Sequence, residues 1–193
     1  MSISLQHHIT SIVPFSAAEL QTISTYFDTG IYKKKANLLS EGQVCRQHFF
    51  VDQGLLRMYY IDEKGVEHTT QFALENWWLT DHMSFGKQEP STFYIQAVEN
   101  STVQAINTDR QEELLQRFPA MEKYFRIIYQ KAYAAHQFRI KYISDLSSEE
   151  MYNKFSEKNP EFANRIPQYL LASFLGFTPE YLSELRRKKM GKR

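Results

Sequence analysis

The sequence predicts an α+β fold: an N-terminal antiparallel β-roll (a double-stranded β-helix or jelly roll) with flanking helices, a long helix, and a C-terminal all-α helix-turn-helix. Three observations carry that expectation. From 31 to 106, short apolar and aromatic runs are broken by turn signals. From 120 to 143, apolar residues recur at helical steps, and from 166 to 188 two short amphipathic segments flank a glycine. Many short strands, with no helix long enough for a parallel crossover, mean an antiparallel roll or sandwich. The expected units are 1–118, 119–145 and 146–193.

Ser16-Ala-Ala-Glu19 has the pattern of a capping box, in which each side chain satisfies a free backbone N–H of the other. Leu20, Ile23 and Phe27 follow at helical spacing, and Gly30 is read as the stop. The strands come next. Phe49-Phe50-Val51 runs into Asp52-Gln53-Gly54, then 55–61 forms a second apolar run. Asp62-Glu63-Lys64-Gly65 is a hairpin turn with Gly where φ is positive. Segments 66–74, 92–98 and 101–106 complete the set. A short helix is expected over 110–117, ended by Phe118-Pro119.

The long helix carries Met121, Phe125, Ile128, Ala132 and Ala135 at alternating steps of four and three. That is the seam of a helix pair, so this stripe is expected to pack against a second copy of the chain. Ser147-Ser-Glu-Glu150 caps a further helix that runs to about Lys158, and Asn159-Pro160 breaks it.

Composition and charge narrow the function classes. The chain has 193 residues, 42% of them hydrophobic, enough for a core of domain size. Its single cysteine, Cys45, rules out an internal disulfide, a Cys-rich zinc site and a four-Cys iron–sulfur cluster. No clustered His and carboxylate ligands announce a metal or a catalytic centre, so neither a metal site nor an enzyme is expected. The N-terminus lacks the pattern of a signal peptide and no run reaches membrane-span length, which reads as a cytoplasmic protein without a membrane partner. The formal charge of +1 hides an asymmetry: residues 165–193 carry about +5 and residues 1–164 about −4. A basic end points to a polyanion partner.

Residues 166–188 read IPQYLLASFLGFTPEYLSELRRK. Leu170, Leu171, Ala172 and Leu175 give one amphipathic helix, introduced by Pro167 at a first-turn position. Gly176 sits at the turn. Thr178 caps a second helix with Pro179 in its first turn, and Tyr181, Leu182 and Leu185 return onto the first helix. This is helix-turn-helix packing, and the run Arg186-Arg187-Lys188-Lys189, with Lys192 and Arg193, adds a polyanion-binding tail. With the second helix in a major groove, Glu180, Tyr181 (which belongs to both sets), Ser183, Glu184 and Arg187 are candidates for base edges. Gln168, Thr178, Pro179, Arg186, Lys188 and Lys189 complete the expected contact set with double-stranded DNA.

The order of parts resembles the Crp/Fnr-type bacterial transcription regulators across essentially the whole chain. The likeness is to a shorter branch common in Bacteroidetes, through Gly54-Leu-Leu-Arg57, Asn76-Trp77-Trp78 and Ile166-Pro-Gln-Tyr-Leu170 with Leu175-Gly-Phe-Thr-Pro-Glu180. The resemblance implies a cyclic-nucleotide-binding-type roll, homodimers on palindromic operators, and action on RNA polymerase. Three departures follow. The β-hairpin wing usual after the second helix is expected to be absent or vestigial, with the basic tail in its place. Glu184 stands where many members carry a base-reading Arg, while Glu180 matches the recognition Glu.

The third departure concerns the input. Nucleotide-binding members hold the ribose with Gly-Glu and the cyclic phosphate with Arg followed by Ser or Thr. Here the region reads Leu79-Thr80-Asp81-His82-Met83-Ser84-Phe85, then Glu89-Pro90-Ser91-Thr92, and no Arg occurs from 58 to 109. Burying a phosphate without a cation is costly, so cyclic AMP is not expected and the effector is unknown. A pocket for another small molecule would be walled by Trp78, Asp81, His82, Ser91, Thr92, Tyr94, Tyr129 and Tyr133, and the same aromatics would equally serve as core. The alternatives to a DNA-binding regulator are a protein-interaction module, indifferent to loss of residues 186–189, and a small-ligand-binding β-roll protein.

Overall fold

The computed structural model describes residues 1–190, and the side chains of residues 1–188. Two helices, α1 (Ile3–Thr10) and α2 (Ala17–Ser24), precede two four-stranded antiparallel sheets. One sheet orders β1 (Asp28–Tyr32), β8 (Ser101–Asn107), β3 (Gln47–Gln53) and β6 (Trp78–Leu79); the other orders β2 (Asn37–Leu39), β7 (Tyr94–Ala97), β4 (Leu56–Ile61) and β5 (Glu67–Ala73). A short α3 (His82–Lys87) follows β6, and α4 (Thr108–Arg117) leads into the 26-residue α5 (Ala120–Asp145). The chain then continues through α6 (Ser148–Lys158), α7 (Pro160–Arg165), α8 (Gln168–Leu175) and α9 (Pro179–Met190). This is the expected roll, long helix and helical end.

The roll interior is filled. Phe49 and Val51 of β3 point inward with Leu56, Leu79, Ile95 and Val103, all at most 1% exposed. The alternate β3 residues, His48 and Phe50, are equally buried on the other face. That face is covered by helices: Leu5 and Ile9 of α1, Ile23 of α2, Leu114 of α4, and Met121, Tyr124 and Phe125 of α5. A strand buried on both faces reads as a continuous apolar run, as 48–51 does. Helix α1 was not anticipated from the sequence. Ser2 caps it by accepting from the Leu5 N–H, but only Leu5 and Ile9 are fully buried, one turn apart, which leaves little periodic signal.

The capping boxes at Ser16 and Ser147 both form, and Gly65 takes φ +78° in its hairpin turn. Gly30, read as a helix stop, instead lies within β1, and α2 closes five residues earlier at a Thr25 C-cap. Pro167 is the N-cap of α8 rather than its first helical residue.

The helical end docks on the roll through three polar connections. Ser173 of α8 satisfies the free edge of β5, accepting from the Thr69 N–H at 2.9 Å and donating to the Glu67 carbonyl at 3.0 Å. Arg139 of α5 donates to the carbonyls of Thr70 and Phe174. Arg165 of α7 binds Glu75 at 2.7 and 2.8 Å and also Glu99. Its hydrogen bonds hold the Glu75 carboxyl down at about 2. Around these links Leu55, Phe72 and Val98 of the roll join Phe162, Leu171, Leu182 and Leu185 in one apolar cluster. No helix among the described residues is long and apolar enough to cross a membrane.

Candidate nucleic-acid interface and effector region

Helix α8 ends in a Schellman motif. The Phe177 N–H reaches the Ala172 carbonyl at 2.8 Å, the Gly176 N–H reaches Ser173 at 3.2 Å, and Gly176 takes φ +78°. Thr178 then accepts from the Tyr181 N–H, capping α9 ahead of Pro179. Ala172 (0% exposed) lets the two helices approach, and Leu182 (0%) and Leu185 (4%) of α9 fill the space between them. Tyr181 divides as its double assignment suggests: 39% exposed, with its ring edge-on to Phe177.

The outer surface gathers most of the predicted contact residues. Gln168, Thr178, Pro179, Glu180, Tyr181, Ser183, Glu184, Arg187 and Lys188 are exposed, and Arg186 is half-buried. Ser183 donates to the Pro179 carbonyl and to Gln168, linking the two helices at this surface. Glu184 and Lys188 form an i,i+4 ion pair at 2.9 Å, which lowers the carboxyl and raises the ammonium. Both are solvated, so the pair is weak and either partner can be drawn to another charge. The side chain of Lys189, and Lys192 and Arg193 altogether, lie outside the described residues.

The N-terminal half of the predicted dimer stripe needs correction. Met121 (0% exposed) and Phe125 (2%) are turned into the chain's own core beneath the roll and Ile128 packs at its edge, whereas Ala132 is half-buried and Ala135 exposed. A second stripe with the same alternation of four and three, Tyr129, Tyr133, His136, Ile140 and Ile143, runs along a different face. Tyr133 (67%), Ile140 (66%) and Ile143 (53%) are exposed on it. Spacing alone shows both stripes; only the roll determines which of them is already covered.

The predicted effector residues do not gather around one cavity. Asp81 is buried and fully used: one oxygen accepts from the Met83 and Ser84 N–H groups as the N-cap of α3, the other from the Ser91 hydroxyl at 2.7 Å. Trp78 is core, its indole N–H donating to the Tyr124 hydroxyl at 2.8 Å. His82 and Tyr129 meet edge to face at 5.2 Å beside the buried His48. Tyr94 lies on the outer sheet face, stacked on Tyr59 and bonded to Glu41, while Thr92 and Tyr133 are exposed. Arg57, the arginine of the roll strands, is also buried and already engaged. It bonds Gln96, pairs with Glu67 at 2.7 Å and covers the Tyr59 ring. Among the described residues, no three His, Cys, Asp or Glu side chains gather as a metal-ligand set, and Cys45 is buried.

Sequence reasoning missed Arg139 and Ser173, which tie the long helix and α8 to β5. Neither belongs to a motif, because each is defined by a partner more than 30 residues away.

Residues 30–118 match the family model of the cyclic nucleotide-binding domain. Several solved structures have the same fold. FixK2 from Bradyrhizobium japonicum is 13% identical with a TM-score of 0.71, over 86% of this chain and 85% of its own. A CooA mutant from Carboxydothermus hydrogenoformans is 18% identical with a TM-score of 0.69, over 95% and 84%. A protein assigned to the Crp/Fnr family of transcriptional regulators, from Eubacterium rectale, is 16% identical with a TM-score of 0.68, over 92% and 85%. No curated protein matches the chain in sequence.

Proposed function

We propose that this chain, which carries a cyclic nucleotide-binding-type domain and has the fold of the Crp/Fnr transcription regulators, binds duplex DNA as a homodimer and acts as a transcription regulator rather than an enzyme. The observation that carries the reading is α9: capped by Thr178, held to α8 by Leu182 and Leu185, and left with one continuous polar face. A helix fixed on its inner side and polar on its outer side suits a major groove. In this arrangement Glu180 accepts from a base-edge amine, and Arg186 and Arg187 neutralise phosphates.

The test is selection of bound duplexes from a random pool by the purified protein, at two salt concentrations. A two-fold symmetric consensus is expected. No enrichment at either salt overturns the reading. On the selected site, Arg187→Ala weakens binding to all sequences alike and lowers the salt slope by about one. Glu180→Ala instead relaxes preference at one base pair per half-site, by about 1–3 kcal/mol.

The second copy is placed against the exposed stripe of Tyr133, Ile140 and Ile143. Ile140→Glu is therefore expected to yield a monomer by sedimentation at micromolar concentration with the circular dichroism of the folded chain. A persistent dimer in that variant moves the interface elsewhere.

Cyclic AMP is not the input in this reading. The roll interior is filled by side chains, Asp81 and Ser91 satisfy each other, and Arg57 is buried against Gln96 and Glu67.

A further inference from the structure

Between the C-terminal half of α5, the β5–β6 corner and helices α6–α8 lies a cavity of about 600 Å³. That is within the size range of small-molecule sites. Aromatic side chains form its walls: Phe72, Trp77 and Trp78 from the roll, and Phe155, Phe162 and Phe174 from the helical end. Ala132 and Ala135 leave the α5 side open, and His136 and Ile143 of the second stripe border the same chamber.

The charge of the lining is one-sided. Lys131, Arg139, Lys154 and Lys158 border the cavity, and no Asp or Glu does. None of the four forms an ion pair with a carboxylate among the described residues. Among the described residues Arg139 is bonded to the Thr70 and Phe174 carbonyls, with its guanidinium over the Phe174 ring at 4.5 Å. Burial lowers its affinity for the proton, as expected of a cation short of counter-charge. Lys158 donates to the Tyr142 hydroxyl at 2.8 Å, and the charge of Lys154 acts on Tyr142 and, one turn away, on Glu150, which lies outside the lining. Lys154 and Lys158 thus meet at Tyr142, about one turn along α5 from Arg139, with Lys131 beside His8 elsewhere on the rim.

Of these cations Arg139 is half-buried and the lysines stand exposed at the rim; a partly desolvated guanidinium without a carboxylate is completed by an anion, and the aromatic walls call for an apolar body. A sugar-bearing anion fits less well, since ribose hydroxyls are held by an acidic acceptor that this lining lacks. We propose that the cavity binds an amphipathic organic carboxylate, its acyl or aryl body among the aromatic rings and its head near Arg139, Lys154 and Lys158. Such a ligand touches the roll, the long helix and the helical end together. The site is distinct from the Asp81–Ser91 region and from the DNA-facing side of α9.

The only two tryptophans in the chain, Trp77 and Trp78, both line this cavity, so their fluorescence reads occupancy directly and without DNA. The full-length protein is titrated with decanoate and 2-naphthoate, and with 1-decanol, 2-naphthylmethanol and cyclic AMP as controls. Saturable changes at micromolar decanoate or naphthoate are expected, with each alcohol at least tenfold weaker and cyclic AMP silent. Lys154→Gln/Lys158→Gln changes two surface residues of α6 and should weaken carboxylate binding at least fivefold. Ala132→Phe fills the chamber and should abolish it, with circular dichroism unchanged in both variants. No response to either carboxylate, equal response to the alcohols, or full affinity in the lysine double variant each overturns the proposal. Because no DNA is present, failure here leaves the DNA-binding reading standing, and the converse also holds.

Discussion

Gly54→Ala is expected to destabilise the protein by about 3 kcal/mol or more, lowering its melting temperature by roughly 6–12 °C for a chain of this size. Gly54 has φ +105°, a conformation that side-chain-bearing residues rarely adopt. A Cβ there would lie 2.3 Å from the Ser101 hydroxyl oxygen, 2.7 Å from its Cβ and 2.8 Å from its Cα. Ser101 cannot yield cheaply: it is 3% exposed, begins β8, and its hydroxyl accepts from the Leu55 N–H while donating to the Glu99 carbonyl. The Gly54 N–H is itself committed to Glu75, the carboxylate that Arg165 grips, so displacement here also loosens the docked helical end. Gly65→Ala is the control. Its φ is +78° and nothing lies within 4 Å of its added Cβ, so only the backbone cost of about 1–2 kcal/mol applies. Equal melting temperatures for the two variants would refute the close approach of β8.

Stability is expected to fall as pH drops from 6.5 toward 3, with one proton's share due to His48. The ring lies among Trp78, Phe85, Phe125 and Tyr129, with the nearest centroid at 4.4 Å. Burial first, and then the charge of His82, pushes its pKa down to about 3. The unfolded chain takes up this proton below 6.5, whereas the folded chain excludes it until about 3. Stability is therefore lost with falling pH across that window, at about 1.4 kcal/mol per pH unit once below 6.5. Glu75 acts in the same direction at lower pH. Held at about 2 by Arg165, its contribution is complete above 4.5 and disappears between 4.5 and 2. The check is denaturant unfolding of wild type and His48→Phe between pH 7.5 and 4.5. The difference between the two curves should slope by one proton below pH 6.5. A flat difference would mean that His48 is protonated in the folded protein.

Much of this architecture was legible because its signals are local. A capping box needs residues three apart, and both Ser16 and Ser147 form theirs. The αL turn at Gly176 and the cap at Thr178 are likewise set within one helical turn, so the helix-turn-helix could be delimited from 23 residues. The β-roll followed from apolar runs between turn residues, since alternation and chain reversal are also short-range properties.

Other features depend on contacts between distant segments. Helix α5 carries two apolar stripes of equal period, and the roll, by burying Met121 and Phe125, leaves Tyr133, Ile140 and Ile143 exposed. Asp81 reads as a ligand-facing carboxylate until Ser91, ten residues on, takes its second oxygen. The aromatic, cation-lined cavity draws on segments from His8 to Leu175 and has no motif at all. Helical and turn preferences are governed by interactions within a few residues, whereas burial and counter-charge depend on which segments the folded chain brings together.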